Sequence, residues 1–201
     1  MVDRIATEKT TFRPVFEVGS SFMEQAQGIE ARFQHAIAPA TVDFDFGEIS
    51  RAASAIPDSS TVKIIRGWGL QETAPVSVMV LSLREAVRQA LPQPFANPAF
   101  WEKAERALTD AFVGLYGQTG THLSFYREEP DSTSYYYNLL FALQDDETGD
   151  AVHAVALCAN VTVGLGPEAV RALTPEDTAQ YTIRVNAITV RRTAPSASAA
   201  G

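Results

Sequence analysis

The chain has 201 residues, of which 46% are hydrophobic and 20% charged, and its formal net charge is −8. Those proportions fit one domain with a substantial core and exclude a disordered chain. The negative balance excludes nucleic acid as a partner, since phosphate recognition needs a basic face, and it removes simple electrostatic attraction to anionic lipid.

Residues 1–13 are polar and aperiodic, and read as a flexible arm. They hold no apolar run of the signal-peptide kind, so the chain is expected to be made soluble in the cytoplasm. A single domain is expected over 14–192, with 193–201, rich in Ala, Ser and Pro, as a flexible tail. A short strand is expected over 14–18. Ser21-Phe-Met-Glu24 fits a capping box, and Phe22, Ala26, Ile29, Phe33, Ala36 and Ile37 follow at helical spacing. Pro39 then stops the helix. A second helix is predicted over 46–56, closed by Pro57, and a strand over 61–68 between the flanking Gly67 and Gly69. A third helix starts near Pro75 with Val76, Val80, Leu83, Val87 and Leu91 on one face, and Pro92 and Pro94 break it. Asn97-Pro98 is a sound start for a fourth, because Asn caps well and Pro suits the first turn. Its stripe is Phe100, Ala104, Leu108, Ala111, Phe112 and Leu115, and the short Pro-rich link makes the two helices an antiparallel pair.

After Gly120 the period changes to that of strands, over 121–127, 133–145, 151–165 and 177–192, with a short helix near 167–173. Six strands with most helices ahead of them give an α+β class and a mostly antiparallel sheet. Along 135–143 and 155–163 both the odd and the even positions are apolar or small, so neither strand has a solvated face. Helices on both sides of the sheet account for that.

Catalytic patterns are missing from the sequence. His35, His122 and His153 lack ligand spacing, and Gly67-Trp-Gly69 and Gly164-Leu-Gly166 lack the third glycine of a dinucleotide loop. Asp43-Phe-Asp45 reads as a loop, not a cation site, and Asn160-Val-Thr162 is a glycosylation pattern placed mid-strand. Cys158, the single cysteine, forms no intrachain disulfide and reads as core. The chain is expected to be no enzyme and to carry no cofactor or metal.

Residues 137–144, Tyr-Asn-Leu-Leu-Phe-Ala-Leu-Gln, followed by Thr148-Gly149 and a small-residue strand to Leu165, resemble the central strands of the Cyt family of cytolytic delta-endotoxins. The likeness continues, collinear, through Ala31-Arg-Phe33-Gln34 with Pro39, Val76-Ser-Val-Met79 and Thr109-Asp-Ala-Phe112, and covers roughly 14–192. It implies a three-layer α/β/α domain, a six-stranded mostly antiparallel sheet flanked by two helix pairs. It implies a toxin that acts outside the cell that makes it: one that binds membrane phospholipid directly, here of zwitterionic type given the charge, self-associates on the membrane and permeabilises it. The alternative is a non-lytic lipid- or protein-binding module on the same fold. The resemblance assigns the membrane role to the strands of the second half. The candidate inserting residues are therefore Leu123, Phe125, Tyr135, Tyr137, Leu139, Phe141, Leu143, Val155, Leu157, Val161 and Val163. Two acidic turns, one with Glu128, Glu129 and Asp131 and the other with Asp145, Asp146, Glu147 and Asp150, bracket those strands, and their exposed carboxylates are expected to titrate near pH ~4. Family precursors carry a longer N-terminal arm exchanged between subunits; about a dozen residues before the first strand are expected not to support that exchange.

Overall fold

The computed structural model describes residues 11–37, 45–118 and 122–194. In chain order these form β1 (Arg13–Glu17), α1 (Ser20–Gln34), α2 (Phe46–Ser54), β2 (Ser59–Pro75), α3 (Val76–Ala90), α4 (Pro98–Asp110), β3 (Leu123–Glu129), β4 (Ser132–Gln144), β5 (Ala151–Val163), α5 (Pro167–Arg171) and β6 (Thr178–Thr193). One six-stranded sheet runs in the order β1-β4-β5-β6-β2, with β3 also paired to β4. Every pairing is antiparallel except β1 with β4.

The sheet is the middle of three layers. Odd-numbered residues of β4 and β5 face α3 and α4 in one apolar cluster with Leu83, Val87, Phe100 and Leu108. Even-numbered ones, Leu140, Ala142, Ala154 and Ala156, face Ile29 and Phe33 of α1 and Ile49 of α2. Both faces of these strands are covered, which is why their sequence lacks an exposed-side alternation. Each helix pair closes one side: helices of 15 and 9 residues over one face, and of 15 and 13 over the other.

The local signals succeed and fail for identifiable reasons. Asn97 caps α4, its Oδ1 accepting from the amides of Ala99 and Phe100 at 3.0 and 3.3 Å. Asp45 caps α2 in the same way, accepting from Gly47 and Glu48. The expected capping box at Ser21 does not form. Helix α1 begins one residue earlier with Gly19 as N-cap and no side-chain cap, because Gln144 at the end of β4 takes the Gly19 amide at 3.1 Å and sets where the chain turns. That helix ends at Gln34, ahead of Pro39, which lies outside the described residues along with Asp43. Phe12, read from the sequence as part of the arm, is buried, and Arg13 opens β1, pairing with Asp110 at 2.5 Å and donating to the Tyr137 hydroxyl at 3.1 Å. At the other end β6 reaches Thr193, one residue past the boundary expected at 192. The largest correction is β2. It runs 17 residues, not eight, because β6 beside it is long enough to hold Gly69 to Pro75 in the ladder. Gly67, at φ 66°, forms a bulge opposite Asn186, whose Oδ1 accepts the Gly67 amide at 2.8 Å.

Candidate functional site

The eleven strand residues singled out above share one face. Leu123 and Phe125 of β3, Tyr135, Tyr137, Leu139, Phe141 and Leu143 of β4, and Val155, Leu157, Val161 and Val163 of β5 all belong to the cluster under α3 and α4, and each is buried. The register explains it: Tyr135 lies opposite Val161, Leu139 opposite Leu157 and Phe141 opposite Val155, so a two-residue period on each strand sums to one apolar surface. The aromatic rings interlock with the helices. Phe100 of α4 meets Phe141 edge-on at 6.0 Å, and the Tyr135 hydroxyl donates to the carbonyl of Ala111 at 2.9 Å. Tyr137 donates to Gln118 Oε1 at 2.6 Å.

The opposite face of the same strands is different in kind. Toward the α2 end it is small and apolar, but at the β3 end it carries Ser134, Asn138, Asn160 and Thr162, with Cys158 among them. Ser134 and Thr162 share a hydrogen bond of 2.8 Å, and Tyr126 donates to Asn160 Oδ1 at 2.7 Å. On strands of 13 residues each, one face is therefore apolar at two-residue spacing from Tyr135 to Leu143 and from Val155 to Val163, with Thr133 and His153 at its ends, and the other is half polar.

The helix pair over the apolar face is held by polar contacts both to itself and to the sheet. Arg84 pairs with Glu105 across the two helices, and the guanidiniums of Arg84 and Arg88 sit 5.2 and 5.5 Å from the Trp101 ring. The attachments to the sheet lie along both helices: Asp110 of α4 pairs with Arg13 of β1, Lys103 of α4 pairs with Glu17, and the Tyr135 hydroxyl reaches the Ala111 carbonyl. Thr189 of β6, fully buried, donates to the carbonyl of Ala90 at 2.6 Å, and the Ala96 amide approaches Asp146 at 3.4 Å. Phe95, in the link between α3 and α4, lies edge-on to His153 at 5.2 Å.

The two acidic turns behave differently. In the hairpin between β4 and β5, Asp146, Glu147 and Asp150 are exposed, but Asp145 is buried. Its carboxylate accepts from the amides of Glu147 and Thr148 at 2.9 and 3.2 Å and lies 3.3 Å from His153 Nε2 and 3.9 Å from the Arg191 guanidinium. Burial pushes this carboxyl up, yet the two amide donors and His153 outweigh it and hold it at about 2. The expectation of an exposed acid titrating near pH ~4 fails at Asp145, because the residue is the turn's internal acceptor and not part of its rim. Gly149, at φ 65°, completes that turn with its amide bonded to the Asp145 carbonyl at 3.0 Å. At the other end Glu128 and Glu129 are strand residues, the first paired with Arg171 and the second 3.8 Å from Arg127, while Asp131 sits in the turn itself.

His153, which lacks ligand spacing in the sequence, is the residue whose setting the sequence did not reveal. It faces Asp145 and Phe95, and its Nδ1 has no partner among the described residues. Eight positions separate it from Asp145, and only the hairpin register makes them neighbours. His122 binds Thr11 at 3.2 Å, far from either. No group of three His, Cys, Asp or Glu side chains that could hold a metal ion occurs among the described residues, and no described helix is long and apolar enough to cross a membrane.

The family described as "Bacillus thuringiensis toxin" matches residues 2–199. The chain belongs to this family. Similar proteins include the Type-2Aa cytolytic delta-endotoxin of Bacillus thuringiensis subsp. kyushuensis, 29% identical over 195 residues that cover 96% of this chain and 75% of that one. The Type-2Ba cytolytic delta-endotoxin of subsp. israelensis is 27% identical, with 92% of this chain and 71% of that one covered. Among solved structures, a delta-endotoxin superposes with a TM-score of 0.85 at 28% identity, over 96% of this chain and 86% of that chain. The activated Cyt2Ba monomer from subsp. israelensis gives the same TM-score at 26% identity, over 92% of this chain and all of that one. This is a Cyt-like toxin, and the three-layer architecture is that of the Cyt toxins.

Proposed function

We propose that this protein kills by permeabilising membranes, binding phospholipid directly and inserting β4 and β5, with β3 beside them, after the α3–α4 pair has moved off the sheet. The observation that carries the reading is the two-faced hairpin. A strand crosses a bilayer in about 9–11 residues, and both strands have 13. Membrane strands alternate lipid-facing apolar residues with lumen-facing polar ones. Here Tyr135, Leu139, Phe141, Leu157 and Val161 supply the first set, and Ser134, Asn138, Asn160 and Thr162 part of the second.

The soluble form hides the apolar set under α3 and α4. That pair is a coherent unit, held together across Trp101, so it can leave as one piece while the sheet keeps its ladders. A sheet entering lipid must close its edges, because an unpaired backbone N–H or C=O in hydrocarbon costs several kcal/mol. Assembly of several copies on the membrane follows from that requirement. The net charge of −8 favours zwitterionic phospholipid as the first contact. No enzymatic step is part of the mechanism; the free energy comes from transferring the buried apolar face to lipid.

The test is release of a small dye and of graded dextrans from phosphatidylcholine vesicles free of protein. Release with a size cutoff is the expected result. Vesicles that bind the protein but keep their contents would replace this reading with a non-lytic binding module on the same fold.

A further inference from the structure

The sheet has one edge that is capped and one that is open. On the β1 side, Lys103 of α4 donates to the Phe16 carbonyl at 3.2 Å and pairs with Glu17 at 2.5 Å, and the edge is divided between the five residues of β1 and the seven of β3. On the other side, β2 pairs with β6 alone among the described residues. Residues 60–64 of β2 are all exposed, Val62 and Ile64 included. Long open edges template strand addition.

We propose that this edge joins two copies of the toxin, β2 against β2 and antiparallel, in the register that sets Lys63 opposite Glu72 and Ile65 opposite Leu70. The inference rests on the permeabilising reading above, for it closes one of the two sheet edges that reading requires to be closed.

The register follows from face and charge. A two-fold axis normal to the sheet keeps each face continuous, so residues set opposite one another must point to the same face. In a regular strand, residues nine apart point to opposite faces. In β2 they do not. Lys63 and Ile65 are partnered by Thr189 and Ala187, while Leu70 and Glu72 are partnered by Ile183 and Tyr181, all on the α3–α4 face. The extra residue of the Arg66–Gly67 bulge produces this agreement, and so permits the one register that matches opposite charges and apolar side chains. Symmetry doubles each contact, giving two Lys–Glu pairs and two Ile–Leu pairs per interface. Lys63 and Glu72 are both exposed, free to serve. A head-to-tail arrangement would instead bring β2 onto the edge that Lys103 caps.

Charge reversal tests the proposal. K63E and E72K each turn both cross-strand pairs into like-charge contacts, and the double variant K63E/E72K restores opposite charges. With phosphatidylcholine vesicles, each single reversal is expected to slow dye release about tenfold, and the double variant to recover to within about twofold of the parent. Circular dichroism of the unbound proteins should be unchanged, since both side chains are exposed. Separately, a K63C/E72C variant in a C158A background should form disulfide-linked dimers when the vesicle-bound protein is oxidised. A bond within one chain is excluded, because nine strand residues span about 30 Å. Single reversals that release dye at the parental rate, reversals that slow release without rescue by the double variant, or failure to form the 63–72 disulfide would each overturn the proposal. Parental release without that disulfide removes the edge pairing alone. Dimers without release remove the permeabilising reading and leave the pairing standing.

Discussion

If the α3–α4 pair must leave the sheet before lysis, tying α3 down should stop it. Ala90 and Thr189 mark the place: both are buried on the same face, and the Thr189 hydroxyl already reaches the Ala90 carbonyl at 2.6 Å. The perturbation is A90C/T189C in a C158A background, which keeps thiol pairing unambiguous because Cys158 is the single native cysteine. The positions are 99 residues apart. Closing a loop of that size removes unfolded-state entropy equivalent to about 4.7 kcal/mol. Losing the threonine hydrogen bond returns about 1 kcal/mol. The oxidised protein should therefore be more stable than its reduced form by about 4.7 kcal/mol, and more stable than the C158A parent by about 3–4 kcal/mol, melting about 6–15 °C above that parent for a chain of this length. Those values establish that the bond has formed without distorting the fold. Dye release from phosphatidylcholine vesicles is then followed for the oxidised and reduced forms of one preparation. Release should be abolished, or slowed at least about a hundredfold, by oxidation and restored by reduction. A fully cross-linked, stabilised protein that lyses at the reduced rate would refute the idea that α3 separates.

Three further predictions concern the strands and their turn. Asp145→Asn should lower stability at pH 7 by about 2 kcal/mol, since the carboxyl is held at about 2 against an ordinary 3.8. A depressed carboxyl stabilises above its ordinary value and loses that contribution as pH falls toward 2, so urea titrations should show the deficit shrinking from pH 4 downwards. A deficit that persisted undiminished at pH 2 would contradict the assignment. Neutralising Asp146, Glu147 and Asp150 together should speed lysis at neutral pH if this turn crosses the bilayer, because three carboxylates oppose transfer by about 9 kcal/mol; an unchanged rate would place the opposite turn, at Asp131, across instead. Leu157→Ala, at a fully buried position opposite Leu139, should cost about 2–5 kcal/mol in urea unfolding, and a loss below 1 kcal/mol would mean the core there is not close-packed.

How much of this was legible beforehand depends on the range of the interactions involved. Helical stripes such as Phe100, Ala104 and Leu108, the Asn97 cap, and the doubly apolar run of β4 and β5 depend on residues within a few positions of one another, so period and composition alone determined the helices, the strand count and the covered sheet. The same local reasoning misplaced the start of α1, where a distant Gln144, not the nearby Ser21, takes the decisive amide. It ended β2 at Trp68, with Gly67 and Gly69 as flanking residues, because only β6 lying alongside carries the strand past them, with Asn186 accepting the bulge amide. Asp145 shows the same limit within a functional feature. As one of four acids in a turn it counts as a solvated charge, and only the β4–β5 register brings His153 and Arg191 against it and makes it the turn's buried acceptor. Sequence by itself determined which residues want to be buried and in what local shape. Tertiary structure alone decided which face each strand shows to which helix pair and which sheet edge stays open, because those outcomes depend on pairing between segments that the chain places far apart.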